Sequence, residues 1–172
     1  STKVVSGLQA FTLYDTYGFP LEVIQLVAAE QGCTVDVEKF EEQMKFLHEE
    51  GYKAISLTEL QEKINQNQPL LQKSVVITFD DGRKGVYAHA FPILQRCGFT
   101  ATIYIVPSWV EGHNIPSEEA YSAFLNWDEL KELANAGWEI GSHSFSHQNM
   151  ATLDAGELEK ELFEAEKTIE QK

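Results

Sequence analysis

Apolar positions along this chain recur at two periods, and the switch between them marks its elements. The run Ser74-Val75-Val76-Ile77-Thr78-Phe79 is short, β-branched and closed by Asp80-Asp81-Gly82, so it reads as a buried strand that stops where the aspartates begin. Residues 54–57, 101–106 and 138–141 read as further strands. Between them the apolar spacing lengthens to that of a helix. Helices are expected over 58–64, with Thr58 and Gln61 as a capping box, over 86–97, and over 127–136 behind Asn126 as N-cap. The last helix starts at Asp154, with Glu157 closing a second capping box and Leu158, Leu162, Ala165 and Ile169 on one face. Strands alternating with helices imply a parallel sheet.

Upstream the pattern is helical only. One helix is expected over 6–17, from Ser6 as N-cap to the stop at Gly18, and a second over 20–32, from Pro20 to Gly32. A third begins at Asp36 and is stopped by Gly51, with Val37, Phe40, Met44 and Leu47 as its core stripe. Residues 107–126 carry Gly112, Asn114 and Pro116 and read as a long site loop.

The chemistry sits where two strands end. Asp80 and Asp81 would point to opposite faces of a continuing strand, but Gly82 lets the backbone turn away at once, so both carboxylates stay near one strand end. His143 and His147, at i and i+4 in Ser142-His143-Ser144-Phe145-Ser146-His147, follow the strand at 138–141. One helical turn, or an extended turn with a bend, can aim both rings at one ion. A lone Asp-Asp-Gly is usually a solvated turn, and a lone His-x-x-x-His usually surface or core histidine. Together they point to a metal site with a base beside it. Two imidazoles and one carboxylate leave a position for water, the ligand count of a catalytic zinc site.

The chain resembles the polysaccharide deacetylases of carbohydrate esterase family 4 from about residue 40 to 172. The resemblance runs through Gly51-Tyr52-Lys53-Ala54-Ile55-Ser56-Leu57, Val76-Ile77-Thr78-Phe79-Asp80-Asp81-Gly82, Ala101-Thr102-Ile103-Tyr104-Ile105-Val106, Trp127-Asp128-Glu129-Leu130 and Glu139-Ile140-Gly141-Ser142-His143-Ser144. It implies a distorted (β/α) barrel that removes acetyl groups from N-acetylated amino sugars or from xylan. By the same resemblance Asp80 matches the general base, and Asp81, His143 and His147 match the ligands of Zn²⁺ or another divalent transition metal. The family's first strand with its Tyr-His signature has no match here, nor do its Arg motif, its Asp-Trp motif and the later His that acts as general acid. His48, His89 and His113 do not occupy that position. The expectation is therefore an α/β partial barrel with impaired activity, or a weak metal-binding half-barrel.

Residues 1 to about 44 resemble a segment of alanyl-tRNA synthetase, on Gly7-Leu8-Gln9-Ala10-Phe11-Thr12-Leu13-Tyr14-Asp15-Thr16-Tyr17-Gly18-Phe19-Pro20-Leu21-Glu22 and on Ala28-Ala29-Glu30-Gln31-Gly32-Cys33-Thr34-Val35-Asp36. That resemblance implies a short all-helical segment with Asp15 as a candidate RNA contact, although the ordinary role of such a residue is to end a helix at a turn. Two parents in one chain imply a joined gene, divided into a helical segment at 1–39 and a partial deacetylase domain at 40–172. The join falls near Phe40-Glu41-Glu42-Gln43-Met44, which suits either parent.

Composition narrows the partners. Of the 172 residues, 43% are hydrophobic and 23% charged, the balance of an ordinary globular chain, with one core expected. The formal net charge is -14. Such a field repels phosphate backbones and argues against nucleic acid as a partner, the synthetase-like segment included, where Lys3 and Lys39 face Asp15, Glu22, Glu30, Asp36 and Glu38. Cys33 and Cys97 lie in no metal or redox spacing. No leader and no membrane span is visible in these residues, whereas the resembling family is often exported. The expected partner is an acetylated polysaccharide or oligosaccharide, and an exposed sheet edge favours a homo-oligomer.

Overall fold

The computed structural model describes residues 3–5, 33–35, 37–70, 72–112 and 124–172. The helices expected over 6–17 and 20–32, their caps, the cap Asp36, candidate Asp15 and residues 113–123 of the expected loop lie outside the described residues. The chain divides into two compact units, Ser1–Leu47 and His48–Lys172.

In the first unit β1 (Lys3–Val5) pairs in parallel with β2 (Cys33–Val35), in the register Lys3 with Cys33 and Val5 with Val35. The segment expected to be all-helical thus contains strands, and the reason is compositional: Val4, Val5, Thr34 and Val35 are β-branched and favour an extended backbone. Helix α1 (Val37–Glu49) follows. Of its expected stripe only Met44 is buried; Phe40 and Leu47 are half-buried, and Val37 is exposed at the first turn.

The second unit is built of parallel strands with helical crossovers. Strand β3 (Lys53–Ala54) leads into α2 (Leu57–Asn65), then β4 (Ser74–Val75) and β5 (Thr78–Phe79). A π-helical turn, Val86–Ala90, runs into α3 (Phe91–Arg96). Pro92 explains the loosened turn, because it has no N–H to give to the carbonyl four residues back and its ring crowds that carbonyl. Strand β6 (Thr102–Ile105), a 3₁₀ segment at Pro107–Gly112, α4 (Trp127–Asn135), β7 (Glu139–Ser142) and α5 (Ala155–Glu170) complete the unit.

The ladders are β3 with β4, and β5-β6-β7 in that order, all parallel. The strand expected over 74–79 serves both ladders: Val75 O accepts from Ile55 N–H and Ile77 O from Thr102 N–H, each at 2.9 Å. It is half-buried rather than buried, with Thr78 exposed. The central strand β6 is the apolar one, with Ile103 and Ile105 fully buried. Leu94, Leu125 and Leu133 are fully buried with them, and Trp138 stacks on Phe79 at 5.6 Å while Phe91 meets its edge at 5.8 Å.

Three local expectations shift. The strand at 54–57 ends at Ala54, because Ser56 caps α2 by accepting from Glu59 N–H; the cap is Ser56, two residues before Thr58. Residues 107–112, expected as loop, are helical and carry buried Trp109 and Val110. On α5 the buried side holds Glu161 and Ala165, and Leu162 is 50% exposed. The capping boxes at Asn126/Glu129 and Asp154/Glu157 form as expected.

Glu139 of β7 ties the ladder to α2. Its carboxylate accepts from Leu57 N–H at 2.9 Å, Thr58 N–H at 3.1 Å and the Thr102 hydroxyl at 2.8 Å, so a negative charge sits at a helix N-terminus. Burial alone would push this carboxyl up, but the hydrogen bonds from Thr58, Thr102 and Leu57 outweigh it and hold the group at about 2 against an ordinary 4.5. A folded-state value below the unfolded one stabilises the fold above 4.5, and the contribution is lost as pH falls from 4.5 toward 2. The stability gap between wild type and Glu139→Gln, read from urea midpoints, is therefore expected to be full at neutral pH and to close across that window. A gap unchanged through it would contradict the assignment.

Candidate metal centre

Three parallel strands end on one side, and the site forms where β5 and β7 run out on either side of β6. After Phe79 the chain reverses through two left-handed residues, Asp81 at φ 69° and Gly82 at φ 70°. Asp tolerates that region better than most side chains, and Gly adopts it freely. A Cβ on Gly82 would stand 3.0 Å from Ile105 Cγ2, so any other residue would have to push Ile105 aside as well as hold a left-handed φ. The reversal separates the two aspartates: Asp80 is exposed and Asp81 is buried.

At the end of β7, His143 N–H donates to Ile105 O at 2.8 Å, which extends the ladder by one residue. The chain then turns without forming a helix. Ser144 and His147 take left-handed φ of 64° and 61°, and the buried Ser144 hydroxyl accepts from His147 N–H at 3.0 Å. The bent turn, one of the two geometries the spacing allows, is the one adopted. Glu161, reaching from α5, holds it: one oxygen accepts from Phe145 N–H at 3.1 Å and Ser146 N–H at 2.9 Å, and the other from the Ser146 hydroxyl at 2.6 Å. Ser108 N–H donates to Phe145 O at 3.1 Å from the opposite side.

These constraints bring together Asp81, His143 and His147, one donor atom from each lying within 4.8 Å of the others. Asp81 Oδ1 is 3.6 Å from His143 Nε2 and 3.4 Å from His147 Nε2. Two ligands each about 2.0–2.1 Å from a tetrahedral ion stand about 3.4 Å apart, so the spacing and the donor set fit a transition ion. Around the triad, Trp109 packs on the His147 ring at 4.8 Å and Phe124 on Trp109 at 5.0 Å. Arg83 lies 3.5 Å from Asp81 Oδ2 and over the Phe124 ring. A cavity of about 570 Å³ beside the histidines is lined in part by Met150, Leu162 and Glu166. Among the other histidines, His48 Nδ1 is 2.8 Å from Cys97 O, His89 lies exposed on the π-helical turn, and His113 is outside the described residues.

Sequence reasoning missed Arg83, Trp109, Phe124, Ser144 and Glu161. The nearest signal was Glu161, which completes a 3–4–3 spacing with Leu158, Ala165 and Thr168, but the apolar Leu162 competes for the same face.

Comparison with known proteins gives two families. A polysaccharide deacetylase model matches residues 67–172, and a model of class II tRNA synthetases matches residues 1–95, so residues 67–95 fit both. The chain is 31% identical over 142 residues to the poly-beta-1,6-N-acetyl-D-glucosamine N-deacetylase of Escherichia coli (strain K12), covering 76% of this chain and 21% of that protein. It is 63% identical over 161 residues to the alanine--tRNA ligase of Microcystis aeruginosa, covering 91% of this chain and 16% of the ligase. The chain spans about half or less of the length of the curated relatives it matches. Among solved structures, the Streptococcus pyogenes deacetylase PplD in complex with acetate superposes at a TM-score of 0.71 and 22% identity, over 81% of this chain and 58% of that one. That likeness makes the parallel unit an α/β partial barrel.

The grip of Glu161 on the histidine turn can be measured. Glu161→Ala leaves the half-buried Phe145 and Ser146 N–H groups without their acceptor, which is expected to cost about 1 kcal/mol or more of stability. Chemical denaturation showing no measurable loss would mean that water replaces the carboxylate and the turn is held otherwise.

Proposed function

The chain belongs to the polysaccharide deacetylases through residues 67–172 and to the class II tRNA synthetases through residues 1–95, and on that basis we propose that its parallel unit is a metal-dependent amide hydrolase acting on N-acetylated amino sugars of a polysaccharide. The observation that carries the proposal is the convergence of Asp81 Oδ1, His143 Nε2 and His147 Nε2 beside an exposed Asp80. A deacetylase named for poly-β-1,6-N-acetylglucosamine among the relatives supports the substrate class.

In this reading Asp81, His143 and His147 hold Zn²⁺ or a similar ion. When bound, the ion polarises the acetyl carbonyl as a Lewis acid and lowers the pKa of water toward neutrality. Asp80 takes the proton of the attacking water as the new C–O bond forms. Its backbone neighbour Asp81 is turned inward, so the two carboxylates have separate tasks: one faces the cradle and the other faces solvent, where substrate arrives. The tetrahedral adduct then expels the sugar amine as the C–N bond breaks, and the amine needs a proton. Within residues 40–172 the resemblance assigns no residue to that step.

His143→Ala is expected to abolish stoichiometric metal in the purified chain by elemental analysis, and unchanged metal content would contradict the ligand assignment. Asp80→Asn is expected to keep the metal while lowering hydrolysis of N-acetylglucosamine oligomers by about a hundredfold to ten-thousandfold, because an amide cannot accept the proton. Equal activity in the two proteins would remove Asp80 from the role of base.

A further inference from the structure

We propose that Arg83 is a positioning residue of the metal centre: it reserves the Oδ2 oxygen of Asp81, so that Oδ1 alone is offered to an ion. The inference rests on the metal reading above and adds a residue to it. The two oxygens of Asp81 face different neighbours. Oδ1 faces His147 Nε2 at 3.4 Å and His143 Nε2 at 3.6 Å, whereas Oδ2 faces Arg83 Nη2 at 3.5 Å. The side chains of Arg83 and Asp81 are 18% and 10% exposed, so water screens this pair less than a surface pair.

The guanidinium has a built seat. Its Cζ lies 4.5 Å from the centroid of the Phe124 ring, and Arg83 and Phe124 pair through an antiparallel bridge. Leu125 N–H donates to Gly82 O at 2.9 Å beside it. Phe124 is 5% exposed and packs on Trp109, which packs on His147. A line of contacts that leaves one candidate ligand, Asp81, therefore returns to another.

A carboxylate with both oxygens available can take an ion through one oxygen or through two. Arg83, whose guanidinium is forked in a plane, stands against one of them, Oδ2. Oδ1 is left as the single donor, and the saved coordination position stays open for water or substrate. Partners of this kind, which orient a ligand without touching the ion, typically change metal affinity 10–100-fold when removed.

Co²⁺ titrated into the full chain, followed by its visible d–d bands, tests the assignment. Arg83→Met keeps an unbranched side chain on Phe124 and removes the donors. It is expected to bind Co²⁺ about 10–100-fold more weakly, with bands that lose intensity as Oδ2 enters the ligand set. Phe124→Leu, which removes the seat and keeps the arginine, is expected to shift both readings in the same direction by less, and it decides the matter if circular dichroism shows Arg83→Met unfolded. Wild-type bands and affinity in Arg83→Met, or in Phe124→Leu where that variant decides, would overturn the role of Arg83 and leave the centre intact. A wild-type chain that takes up no Co²⁺ would remove the metal reading and this inference with it.

Discussion

The close approach of Gly82 to Ile105 is the constraint on which the site depends. Ile105, itself fully buried, is the last residue of the central strand, and a Cβ on residue 82 would press to 3.0 Å from its Cγ2. The turn lies close against the end of β6 because residue 82 has no Cβ to displace Ile105 and accepts a left-handed φ without strain. Once it does, Asp81 is driven inward and Asp80 outward. Ile105 also receives the His143 N–H on its carbonyl, so the same residue sets the position of the first histidine. One strand end thereby fixes both sides of the centre, and a shift of β6 would move them together.

The second histidine is fixed differently. His147 stands beyond the ladder, at the end of a turn with two left-handed residues, a conformation that costs free energy unless its surroundings enforce it. Ser144 and Glu161 enforce it through hydrogen bonds, and Trp109 through packing. Backbone order therefore places Asp81 and His143, whereas His147 is placed by side chains, one from its own turn, Ser144, and two from elsewhere in the chain, Glu161 and Trp109. Placing the centre at the C-terminal ends of parallel strands agrees with where α/β folds of this kind carry their chemistry.

What the sequence made legible followed from local rules. The alternation of elements, the capping boxes at Asn126 and Asp154 and the break at Gly82 each follow from a few neighbours in the chain, and the nearness of Asp81 to His143 and His147 was legible with them. Several of the misreadings come from competition by tertiary context. Val37 and Leu162 have the right spacing for a core stripe yet lie exposed, and Glu161 is taken inward because two N–H groups there need an acceptor. The segment 107–112 reads as loop by its glycine and proline but packs Trp109 against His147. Arg83 was invisible because a cation two residues after an acidic pair looks like ordinary surface charge; only the fold brings Phe124 beneath it.

The synthetase match and the deacetylase match overlap across residues 67–95, the stretch that carries Asp80, Asp81 and Arg83, and Asp81 is the residue of that stretch that joins His143 and His147 in the candidate metal centre. A net charge of -14 gives phosphate backbones no attraction, whereas a cradle of two imidazoles and a buried carboxylate attracts a dication. The most direct test is X-ray absorption at the zinc edge on the chain loaded with one equivalent of Zn²⁺. The account predicts a shell of nitrogen and oxygen with the multiple scattering of two imidazoles and no sulfur. A shell containing sulfur, or one of oxygen alone without imidazole, would contradict it.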